Sequence, residues 1–224
     1  MKKFGMRDFW NWVREADCQY TVFAVNSPID KVSQAIANIY KRKQILEDVL
    51  SAQYTDSPKI MCQSIPVISV RNTPWTIVYL IPARTPQADY ALRVSKKLKT
   101  RMITFSGEPD SEYMSYTVVN NGEIREYIQF VGFGEHAPVI FHSEIRSMPE
   151  FGWGDVNNFD YNQQIFQEFV NAFCQEEELY VPVCYKYLLP RTDLKRSPPV
   201  ILRVAKCSKG KIEKANLVGD EFFV

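Results

Sequence analysis

Apolar positions along the chain fall into short strand-like runs interrupted by a few stretches of helical spacing. Trp75–Ile81 (WTIVYLI) is apolar without alternation, as a strand buried on both faces requires, and Cys18–Val25 (CQYTVFAV) is a second β-rich run. Tyr113–Val119 and Ile124–Val131 flank Asn120, Asn121, Gly122 and Glu123; an Asn-Gly pair between two β-rich runs predicts a hairpin. Val67–Val70, Arg101–Ser106, Val139–Ile145, Tyr180–Leu188 and Val200–Ala205 read as further strands, and Lys211–Val224 as a weaker one.

Helical spacing recurs in four places. Phe9, Trp10 and Val13 predict a short amphipathic helix over Met6–Ala16. Ser27, Pro28 and Asp30 supply an N-cap, a first-turn proline and an early acid, and Val32, Ile36, Ile39 and Tyr40 the apolar face that follows. The pattern allows that helix to stop near Lys41–Lys43 or to run on to Leu50. Pro86 opens a helix over Gln87–Thr100, with Tyr90, Ala91, Val94 and Leu98 on one side and Arg93, Lys96, Lys97 and Lys99 elsewhere. A loop rich in aromatic, Gly, Asn and Asp residues, Phe151–Tyr161, leads into a helix over Tyr161–Glu178 through Ile165, Phe166, Phe169, Val170 and Phe173.

Strands in excess of helices, together with the hairpin, predict an α+β fold with a mixed, largely antiparallel sheet and about three amphipathic helices. Thr21–Val25 and Thr76–Leu80 each precede a proline-led helix with an early Asp, Asp30 and Asp89. They read either as a duplicated strand-helix unit or as the usual appearance of a strand entering a capped helix. No Gly/Ser linker interrupts the sequence, so residues 1–224 are expected to form a single compact domain.

Composition narrows the class. Hydrophobic residues at 46% and charged residues at 24% are ordinary globular values, which excludes fibrous and disordered classes. The amino terminus carries no apolar run of signal-peptide length, and the apolar stretches fall far short of the roughly 20 residues a membrane span needs. The 5 cysteines are scattered without a CxxC pair, a usage suited to reduced thiols. The expectation is a soluble, cytoplasmic protein without membrane association.

Motifs for chemistry are sparse. The sequence has no GxGxxG and no GxxxxGK[ST], no HExxH and no GxSxG. A protein without nucleotide, haem, metal or other cofactor and without catalytic residues is therefore expected. The enzyme alternative is a small hydrolase or metal-dependent enzyme built on His142, Glu144, Asp155 and Asp160, where His142 and Glu144 would share one face of a strand.

Charge carries the remaining information. The net charge of +1 conceals three blocks. Met1–Ser106 holds 16 basic and 8 acidic residues, Gly107–Glu178 holds 2 and 14, and Leu179–Val224 holds 9 and 4. Three accounts compete: neutralisation of the blocks within the fold, a basic protein partner on the acidic block, or nucleic acid on the basic ones. Nucleic acid is disfavoured because the acidic block would repel the same polymer. The preferred reading is a non-catalytic binding module, of the kind that neutralises a toxin or regulates a partner. Its expected surface comprises Glu108, Asp110, Glu112, Tyr113, Glu123, Glu126, Trp153, Asp155 and Asp160.

Overall fold

Strands built from the continuous apolar runs occupy the middle of a sheet that is covered on both faces. The computed structural model describes residues 20–39, 44–46, 64–70, 73–80, 87–108, 113–131, 139–147, 159–181 and 200–206. In chain order the elements are β1 (Tyr20–Val25), α1 (Ile29–Ile39), β2 (Gln44–Leu46), β3 (Ser64–Val70), β4 (Thr76–Leu80), α2 (Gln87–Leu98), β5 (Arg101–Glu108), β6 (Tyr113–Asn120), β7 (Glu123–Val131), β8 (Val139–Ser143), α3 (Phe159–Glu176) and β9 (Val200–Lys206). The strands form one sheet in the order β2-β9-β3-β4-β1-β5-β6-β7-β8. Every neighbouring pair is antiparallel. The fold is α+β.

Alternation along the strands sends side chains to two separate cores. Phe23, Val25, Val67, Val78, Met102 and Val119 meet Ile29, Val32 and Ile36 of α1 and Ala91 and Val94 of α2. The alternate set, among them Val22, Tyr79, Phe105, Tyr116, Ile128 and Phe130, is buried on the other face, as are Ile165, Phe166, Phe169, Val170 and Phe173 of α3. The Tyr116 ring joins strand to helix there, 5.7 Å from Phe105 and 5.4 Å from Phe173. Each such aromatic stabilises the fold by about 1.5–3 kcal/mol through the area it removes from water. Both faces being covered explains why β1 and β4 lack the polar alternation of a half-solvated strand.

β1 and β4 lie side by side, and the helices that follow them pack on the same face. The open choice over Lys41–Leu50 is decided by pairing: Gln44–Leu46 joins Val204–Lys206, so a short strand stands where a longer helix could have run. α3 begins at Phe159 and draws Asp160 out of the expected loop into its first turn, where the helix dipole favours an acid. The expected elements over Met6–Ala16, beyond Val181 and over Lys211–Val224 lie outside the described residues.

Two helices end the same way. At α2 the Thr100 N–H reaches the Ser95 carbonyl and the Lys99 N–H the Lys96 carbonyl; at α3 Leu179 reaches Cys174 and Glu178 reaches Gln175. These are paired closing bonds around a left-handed residue, Lys99 (φ 51) and Glu178 (φ 49), at a position where glycine is usual. The β6–β7 turn, with Asn121 at φ 52 and Gly122 at φ 85, docks on the first of these ends: the Gly122 N–H donates to Ser95 Oγ at 3.1 Å. A Cβ on Gly122 would stand 2.8 Å from Lys96 Cβ.

Gly122→Ala is expected to lower unfolding stability by about 2 kcal/mol through left-handed strain and this clash, whereas Glu178→Gly should raise it by up to about 1 kcal/mol. Urea denaturation of the two variants checks both signs.

Candidate functional site

Glu126 occupies an unusual position for an acid. On β7 it is in phase with Ile128 and Phe130, so the strand's period of two carries its side chain to the α3 face, where it is 0% exposed. A bulge sets this phase: Val118 faces Glu126 while Val119 faces Ile124, leaving Arg125 as the extra residue. Ile124 is thereby turned to the opposite face.

A buried carboxylate demands a cation, and Arg146 supplies it. Its Nε donates to Glu126 Oε2 at 2.8 Å, and the guanidinium lies 3.9 Å from the centre of the Phe173 ring. The same oxygen accepts from Ser143 Oγ at 2.6 Å, while Ser143 Oγ accepts the main-chain N–H groups of Ile145 and Arg146, each at 3.0 Å. This hydroxyl is therefore committed in every direction, a brace for the turn after β8 and not a free nucleophile.

Arg146 also reaches the C-terminal end of α3, bonding Glu176 at 2.5 Å and lying 3.8 Å from Glu177. Arg101 pairs with Glu177 as well. Acids in the last turn of a helix oppose its dipole, and α3 has no basic residue there, so these two arginines provide the compensation. Trp75 Nε1 donates to the Glu177 carbonyl at 2.9 Å, tying the entry to β4 to the same helix end. Beneath it Cys174 is fully buried, and desolvation, aided by Glu177, pushes its thiol well above the ordinary value. Burial likewise raises the Tyr116 hydroxyl, with Cys174 and Glu126 adding to the effect. A thiol so disposed is inert.

On the outside, Arg125 pairs with both Glu123 and Glu144. The hydrogen bond from Arg125, and then its charge, hold the Glu144 carboxyl below its ordinary range, with a smaller push from His142. His142 is exposed and stacks on Tyr127, with ring centres 5.5 Å apart, on the face opposite Glu126.

The expected surface is thus divided. Glu123 and Glu126 lie with Glu144, Glu176 and Glu177 at one end of the β6–β7 hairpin, and Glu126 is buried instead of offered to solvent. The expectation that its carboxylate contributes to an outer acidic face is corrected by its position in the core-facing row. Half-buried Tyr113 stands opposite Glu108 at the other end, seven residues and roughly 23 Å along the strand. Asp160 lies in the first turn of α3, while Asp110, Glu112, Trp153 and Asp155 lie outside the described residues.

The enzyme alternative finds no convergence in the described part. β8 ends at Ser143, so Glu144 follows the strand, and its carboxylate is engaged by Arg125. Among the described residues no three His, Cys, Asp or Glu side chains form a group able to hold a metal ion, and no helix is long and apolar enough to cross a membrane. Comparison with protein-family models, curated proteins and solved structures finds no match to this chain.

Sequence reasoning overlooked Arg146 and Arg101. One signal was present for the first: a block with 14 acids and only Arg125 and Arg146 as bases obliges both arginines to be paired. The lysines of α2 take no part, because among the described residues Lys96, Lys97 and Lys99 make no ion pair.

Arg146→Met, which strands Glu126 in the core, is expected to cost about 3–5 kcal/mol of unfolding free energy, and adding Glu126→Leu should restore much of it. Urea titration of the two variants tests this coupling. Arg125→Ala should move the Glu144 titration, followed by NMR, up toward its ordinary value. The contribution of that pair is full above the unfolded carboxylate range and is lost as pH falls through the lowered Glu144 value, so the variant should lack this acid-side loss.

Proposed function

We propose that the protein is a non-catalytic binding module that holds a basic protein partner at the carboxylate-rich end of β7, β8 and α3. The observation that carries this reading is an imbalance of charge. Among the described residues five carboxylates, Glu123, Glu126, Glu144, Glu176 and Glu177, share three guanidinium groups, Arg101, Arg125 and Arg146. The surplus negative charge sits outermost: the Glu123, Glu144 and Glu176 side chains are 67%, 50% and 64% exposed.

Apolar surface accompanies it. Ile124, Ile140 and Ile145, the large hydrophobic residues that are exposed among those described, all belong to β7, β8 or the turn after β8. Acid for steering beside aliphatic area for contact is the composition of a protein-binding patch. The committed Ser143 hydroxyl and the arginine-bound Glu144 favour binding over hydrolysis, since neither group is available to attack or to donate a proton.

The test is affinity capture from native lysate at low and high salt with the wild-type chain and with the double variant Glu144→Gln, Glu176→Gln. Captured proteins should be basic, should fall away as the Debye length drops below about 10 Å, and should be depleted several-fold by the double variant. Partners indifferent to salt and to both substitutions would refute the reading.

A further inference from the structure

We infer that the partner is held by strand addition: an extended basic segment pairs with the outer edge of β8 and continues the sheet beyond it. This rests on the binding reading above and adds the mode of recognition to it.

Main-chain geometry gives the first argument. The Glu144 N–H donates to the Arg125 carbonyl at 2.8 Å, beside the facing pair Glu126 and Ser143. In an antiparallel ladder that bond makes Glu126 and Ser143 a non-hydrogen-bonded pair, so His142 and Ile140 direct their main-chain groups toward β7. The N–H and C=O groups of Val139, Phe141 and Ser143 consequently point away from the sheet. β8 closes the strand order, and among the described residues no strand lies beyond it.

The second argument is that this edge lacks the usual protection. Exposed edges are normally blunted by charge, proline or extreme shortness. At the opposite edge β2 has three residues and follows Lys41, Arg42 and Lys43. β8 has five residues, VIFHS, with neither a charged residue nor a proline inside the strand; Pro138 precedes it and Glu144 follows it, so its protection is confined to the two ends. Its Ile140 is 41% exposed, and so is Ile145 just after it.

Charge then selects the occupant. Among the described residues the acids near this edge gather at its Ser143 end, where Glu144 follows the strand and Glu176 is joined to it through Arg146. A second copy pairing β8 with β8 would bring two acidic edges together, whereas a segment with apolar residues alternating with Lys or Arg satisfies the free main chain, the isoleucines and the carboxylates together.

The probe is a seven-residue peptide of alternating Lys and Val, compared with the same peptide N-methylated at alternate amides, which keeps its charge but loses strand pairing. At low salt the parent peptide should bind at least tenfold tighter than the methylated one. Amide exchange should slow selectively at Val139, Phe141 and Ser143, and Ile140→Lys should weaken binding about tenfold while leaving the circular dichroism spectrum unchanged. Equal, salt-sensitive binding of both peptides without protection in β8 would overturn strand addition and leave the acidic-surface reading intact. Failure of both peptides to bind would overturn the two together. Protection of β8 that rises with protein concentration in the absence of peptide would assign the edge to a second copy and overturn the proposal.

Discussion

A carboxylate in a core-facing row must be neutralised where it lies, and that requirement organises one end of this molecule. Glu126 shares its row with apolar neighbours, and desolvation would expel the charge if Arg146 did not meet it. Reaching Glu126 fixes the turn after β8. The same guanidinium lies over Phe173 and meets the acids at the end of α3, so one side chain joins the sheet edge to the helix. Arg101 and the Trp75 indole hold that helix end from the other side, at β5 and at the entry to β4.

This arrangement changes the meaning of the acidic block. Its two arginines are both paired with carboxylates of the same block, and among the described residues the basic face of α2 forms no ion pair with it. Among the described residues the block is neutralised by its own two arginines and by Arg101 of β5. Exposed ion pairs such as Arg125 with Glu123 are screened by solvent and contribute little, and the fold does not depend on them. The buried pair is of another kind: it specifies how the hairpin, the turn and α3 fit together, at a cost in desolvation that an apolar pair would avoid.

The bulge at Arg125 links this core to the surface. By inserting one residue it turns Glu126 inward and Ile124 outward, and it places Arg125 where it can bridge Glu123 and Glu144. A single irregularity thus sets both the buried charge and part of the acidic, aliphatic outer patch. Bulges near sheet edges commonly re-aim side chains in this way.

Local pattern was enough for the elements. The two-faced burial of Trp75–Tyr79, the Asn121-Gly122 turn and the three described helices follow from period, turn chemistry and proline placement, which act over a few residues. The spacing of Glu126 from Ile128 and Phe130 was legible, yet the residue was expected on the outer acidic surface and lies buried. Partners distant in sequence were not. Nothing near Gln44 announces Val204–Lys206, nothing near Arg101 announces Glu177, and nothing near Glu126 selects Arg146 over Arg125. Sequence by itself determined which segments could be strands or helices and where charge was concentrated. Only the tertiary structure decided which charges meet and in what order the strands pair, because ion pairing and strand order depend on distances that folding creates between residues far apart in the chain.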